Sequence, residues 1–217
     1  MGVDRLSIYN GALRECQERK LGSLSENREP RRLLDDVWND GEGLVRFVLG
    51  QRQWRFGRRT VELSPDPSIE PDFGYRNAFG KPEDHCRTCG VWSDEYQQVP
   101  LLHYRYEAGF WFADIEPIYV SYVSDDTLYG GDISQWPANF VLYVETHLAS
   151  LVAGRLTGSK ASRNDLLKLA KQRLDQAANT DAMEDPTTFP PPGSWVQARR
   201  GGRLGRWDRG GRSRLMG

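Results

Sequence analysis

Cysteine is scarce in this chain of 217 residues: there are 3, an odd number. A small disulfide-stapled scaffold needs more of them, and in pairs, so the chain is expected to be made in a reducing cytoplasm. Long apolar runs are missing as well. None approaches the roughly 20 residues that a bilayer-spanning helix requires, and no membrane partner is expected. The opening residues Met1-Gly2-Val3-Asp4-Arg5 carry no apolar signal region, so export through a signal peptide is not expected either. Histidine is limited to His85, His103 and His147, with no pair at metal-ligand spacing, and a Gly-x-Ser-x-Gly nucleophile elbow is absent.

What is present suits a folded body. Hydrophobic residues make up 38% and aromatics 11%, with 7 Trp, enough to build a core in one domain with an appendage. The net charge of -1 hides a split. Residues 193–217 hold seven arginines (199, 200, 203, 206, 209, 212 and 214) and one acid, Asp208, a formal +6. That leaves 22 of the 29 basic and 29 of the 30 acidic residues elsewhere, a formal -7. An acidic body with a basic arm points to a separate partner for the arm.

Periodicity predicts where the elements lie. Leu6, Tyr9, Leu13 and Cys16 form a helical stripe over residues 5–18, flanked by Ile8 and Ala12. Residues 25–30, ending at Pro30, read as the start of a second helix, which carries Leu34, Val37, Trp38, Leu44, Val45 and Val48. Gly41 and Gly43 weaken that helix by about 1 kcal/mol each relative to alanine, and mark a kink or a close contact. Residues 58–125 change texture, with strand-like runs at 59–63, 86–92, 101–106 and 118–123. Helical spacing resumes after Trp136-Pro137 with Phe140, Val141, Val144, Leu148, Leu151 and Val152, ending near Gly158. Ser162 to Asp165 reads as a capping box ahead of Leu166, Leu169, Ala170, Leu174 and Ala177.

The expected fold is α+β, mainly α. Residues 1–57 and 126–183 would form an antiparallel four-helix bundle, 58–125 an inserted small antiparallel β region, and 184–217 an extended basic C-terminal arm. Pro186 and Pro190 to Pro192 stiffen the approach to that arm. Its glycine and arginine content cannot sustain a core, yet Phe189, Trp195 and Trp207 are embedded there, as in a segment that orders on another surface.

Motifs with chemical promise weaken on inspection. Cys86 and Cys89 are spaced as a redox pair, but the motif runs into a strand rather than a helix N-terminus. In a regular strand their side chains point to opposite faces, and no second pair completes a zinc site. Gly74 to Lys81 departs from a phosphate-binding loop: five residues separate the glycines instead of four, and Pro82 stands where Ser or Thr would hold magnesium. The adjacent acids Asp35-Asp36 and Asp125-Asp126 suit helix surfaces and turns. No enzyme activity, cofactor or metal is expected. The arm's Arg200-Gly201-Gly202 and Arg209-Gly210-Gly211 leave a nucleic-acid-binding tail as the alternative. The interleaved aromatics and the proline-stiffened approach favour docking on protein.

Leu6 to Cys16 followed by Leu24 to Trp38 resembles the tail tubular protein A family of head-to-tail adaptors in short-tailed phages. Trp111 to Ile115, Val120 to Asp126, Leu166 to Lys171 and Phe189 to Trp195 extend the resemblance over nearly the whole chain. The resemblance implies a homo-oligomeric ring, usually of twelve copies, between the portal protein and a tail nozzle of the tail tubular protein B kind. In such a connector the bundle builds the ring, the insertion faces the next tail component, and genomic DNA crosses the lumen without sequence specificity. The C-terminal segment reaches onto the portal. Here that role falls to Phe189, Trp195, Arg199, Arg200, Arg203, Arg206, Trp207 and Arg209. The expected location is the virion, after assembly in the host cytoplasm.

Overall fold

A computed structural model of the chain describes residues 2–184, except 42, 72 and 73. The chain divides into two units, Met1–Ala182 and Met183–Gly217. Only Met183 and Glu184 of the second are described. The fold is mixed α/β and mainly helical, with several helices and two small antiparallel sheets.

Three helices precede the strands. α1 (Arg5–Glu15) starts at a capping box, in which Asp4 accepts the Ser7 N–H and Ser7 Oγ accepts the Asp4 N–H. α2 (Glu29–Asn39) has Pro30 in its first turn. It ends before Gly41 and Gly43, whose φ angles of 57° and 88° lie in the left-handed region that glycine adopts without strain. The two glycines therefore end the helix rather than kink it, and α3 (Leu44–Leu49) is separate.

All strands among the described residues follow: β1 (Arg58–Leu63), β2 (Asn77–Gly80), β3 (His85–Trp92), β4 (Arg105–Glu107), β5 (Phe110–Ala113) and β6 (Ile118–Ser124). They form two three-stranded sheets, ordered β1-β6-β3 and β2-β5-β4. The strand expected at 101–106 is reduced to β4; Leu101 instead donates its N–H to Val91 O, outside the ladder. β2 and β5 are additions to the sequence reading. β2, Asn-Ala-Phe-Gly, lacks β-branched residues and carries little strand signal, whereas the aromatic run of β5 is strand-like but short.

A 3-10 turn (Ile133–Gln135) leads to α4 (Ala138–Leu156), and α5 (Lys160–Met183) closes the described chain. α5 begins ahead of the capping box read at Ser162: the Ser162 N–H bonds back to Ser159 Oγ, so the cap sits three residues earlier.

Two cores result. In the first, α1 and α2 pack on α4, and an aromatic nest of Trp54, Phe56, Trp136 and Phe140 closes one end. In the second, Phe79 and Trp111 of one sheet meet Val91, Val120 and Tyr122 of the other. β6 serves both, since strand alternation turns Val123 to the first core while Val120 and Tyr122 face the second.

Candidate functional site

The eight residues expected to dock on a portal (Phe189, Trp195, Arg199, Arg200, Arg203, Arg206, Trp207 and Arg209) lie outside the described residues. Within them, polar side chains concentrate where the sheets join the helices. Asp84, in the turn before β3, accepts from Arg59 at 2.8 Å, from Tyr122 at 3.0 Å and from the Ser124 hydroxyl. Desolvation works against the charged form of Asp84, but these donors outweigh it and hold the carboxyl below the usual range. One turn away, Arg46 of α3 bonds Asp125 at 3.1 Å and the carbonyls of Glu83 and His85 at 2.9 and 3.0 Å. Arg46 thus ties a helix of the first core to one end of the sheet, at the start of β3 and just after β6. Six side chains scattered from 46 to 125 make this clamp, and no local sequence pattern announces it.

His85 is buried beside the clamp. Its Nε2 lies 2.9 Å from Thr88 Oγ1, and its ring meets Trp111 and Tyr122. Burial, helped by the nearby Lys81, pulls its pKa down to about 4. Its neighbour Ser124 donates into Asp84 rather than toward the imidazole, so serine, histidine and aspartate are adjacent without forming a nucleophile–base relay. The arrangement is a brace.

β3 departs from the regular strand assumed for its cysteines. Its register shifts twice, between His85 and Arg87 and between Thr88 and Gly90. Each irregularity takes up one cysteine, so both thiols pack against the first core instead of opposite faces. Neither is disulfide-bonded. Burial pushes Cys86 up to about 12 and Cys89 upward, away from the thiolate a redox site uses. Among the described residues no group of His, Cys, Asp or Glu is arranged to hold a metal ion.

Between the helices, Glu145 of α4 is buried and faces Arg14 at 3.2 Å. Its seat exists because α1 has glycine at position 11, where an added Cβ would come within 2.0 Å of the Glu145 carboxyl carbon. Arg173 of α5 adds a second tie, reaching Glu15 at 3.0 Å and the Thr146 hydroxyl. His147 stacks on Phe47 at 5.2 Å, and His103 is exposed in the loop before β4.

No family model matches the chain, and no curated protein matches it.

Proposed function

We propose that this chain is a structural, non-enzymatic head-to-tail adaptor of a bacteriophage. Copies form a ring, residues 184–217 reach onto the portal, and the ring joins the portal to the tail nozzle with DNA passing through its lumen. On this reading α1, α2, α4 and α5 correspond to an antiparallel four-helix bundle, and residues 58–125 are its insertion. The observation that carries the reading is the arm itself: seven arginines and the aromatics Phe189, Trp195 and Trp207 follow an acidic body, in a chain that resembles the adaptor family along most of its length. An arm of this kind accepts its ordering cost on docking. Twelve weak attachments then act together as one strong one.

The test is to mix the full chain with portal rings and image the complex, then repeat with the chain ended after Met183. Loss of ring binding on truncation is expected. Undiminished binding would overturn the assignment. The Arg-Gly-Gly triplets favour a second reading, a nucleic-acid-binding tail. Its signature is tight duplex binding through residues 193–217 that falls steeply as salt rises, without portal binding.

A further inference from the structure

Polar atoms taken out of water ordinarily find a hydrogen-bond partner. Among the described residues four buried side-chain atoms have none: Arg31 Nε, His85 Nδ1, Trp111 Nε1 and Ser121 Oγ. Two of these groups meet. The His85 and Trp111 rings lie 5.4 Å apart between centroids, with their planes crossed at 67°. Ser121 stands apart from them, because strand alternation turns it to the face of β6 opposite Tyr122. Arg31 belongs to α2, outside the β region.

Both rings are sealed from solvent, His85 at 4% exposure and Trp111 at 0%. Tyr122 packs on the imidazole at 5.2 Å and Tyr106 on the indole at 5.6 Å. His85 Nε2 is engaged with Thr88 Oγ1 at 2.9 Å, which leaves Nδ1 as the open edge. Burial keeps the ring neutral at pH 7, and a neutral imidazole has one nitrogen that accepts. The indole N–H can only donate. Left unpaired, each buried group lowers the folding equilibrium constant by roughly 5- to 150-fold.

We propose that one ordered water molecule is bound here, accepting from Trp111 Nε1–H and donating to His85 Nδ1. Water is the ligand that fits both atoms. Two hydrogen bonds of about 2.9 Å through a tetrahedral oxygen span about 4.7 Å between nitrogens, a separation open to crossed rings at this centroid distance. A metal ion finds no lone pair on the indole N–H, and an apolar guest leaves both nitrogens unpaired. The water also joins the two sheets, since His85 opens β3 and Trp111 lies in β5. Among the described residues no direct hydrogen bond links a strand of one sheet to a strand of the other. Apolar contacts tolerate sliding, whereas a satisfied polar link specifies one arrangement. With Nδ1 accepting from the water, His85 carries its proton on Nε2 and donates to Thr88 Oγ1. The site lies within the β region and depends on neither the ring nor the arm.

The experiment uses the full, unsubstituted chain, so no variant has to fold. An X-ray structure at a resolution that shows ordered water is paired with NMR of nitrogen-labelled histidine and tryptophan side chains at pH 7. The expected density is a single peak within about 2.7–3.2 Å of both nitrogens. The expected spectra show a cross-peak between water and Trp111 Nε1–H, and His85 as the Nε2–H tautomer. Three results overturn the proposal: a gap without density, a direct contact of the indole N–H with the imidazole, or His85 protonated at Nδ1.

Discussion

Gly131 sits where β6 hands the chain back to the helices, and replacing it with alanine tests how rigidly that joint is built. A Cβ at this position would lie 2.1 Å from Asp125 O and 2.9 Å from Asp126 C, both backbone atoms that no rotamer change can move. Gly130 is crowded as well, at 2.6 Å from Ser124 O. Relief requires the 124–126 backbone to shift by about 1 Å, judged against ordinary carbon–oxygen contact. That backbone is held on several sides. Ser124 N–H bonds Gly57 O at 2.9 Å, Gly131 N–H bonds Asp126 O at 3.0 Å, and Trp136 Nε1 bonds Gly130 O at 2.7 Å. Overpacking costs about 1–3 kcal/mol, and one lost hydrogen bond adds about 1 kcal/mol. With a urea dependence of about 2 kcal/mol/M, the unfolding midpoint of Gly131→Ala should fall by roughly 1–2 M. Gly80→Ala is the matched control, because a Cβ there meets nothing within 4 Å. Its stability should stay within about 0.5 kcal/mol of the parent. Urea unfolding followed by tryptophan fluorescence measures both. Equal midpoints for the two variants would refute the steric argument.

Two further outcomes follow from the buried groups. His85 has a folded pKa pulled down to about 4 from its ordinary 6.5, so the unfolded chain binds the extra proton first. Its contribution is present above pH 6.5 and is lost as pH falls toward 4, on the order of 3 kcal/mol in full. Because burial also lowers His147, the readout is the difference between the parent and His85→Gln, which should shrink between pH 7 and pH 4.5 in urea melts. A constant difference would sink this account. The thiols make the other case: burial pushes Cys16 up to about 11 and Cys86 up to about 12. At pH 8 a thiol reagent should label the native chain at least about tenfold more slowly than the urea-unfolded chain, and a fast native burst would contradict the burial.

Much of the helical architecture was legible because its cause is local. Leu6, Tyr9 and Leu13 recur at helical spacing, and so do Phe140, Val144 and Leu148; each stripe became one face of α1 or α4. The run from Ile118 announced β6 for the same reason. Boundaries were less legible where two signals compete: Ser162 resembles a cap, but Ser159 takes the role because the helix begins earlier. The clamp around Asp84 was not legible at all. Arg46, Arg59, Tyr122 and Ser124 converge on this turn only after a helix and three strands have been brought together.

Composition and periodicity alone determined the split between an acidic body and a basic arm and the mixed α/β class. These follow from residue identity and near-neighbour spacing, which need no partner strand. Tertiary structure decided the matters that depend on register. It set both cysteines of β3 against one core, because two irregularities in that strand cancel the alternation a regular one would impose. It also decided which backbone groups of β1 and β4 face their neighbours, since the phase of a ladder is fixed by the strand across the sheet and cannot be read from either strand alone.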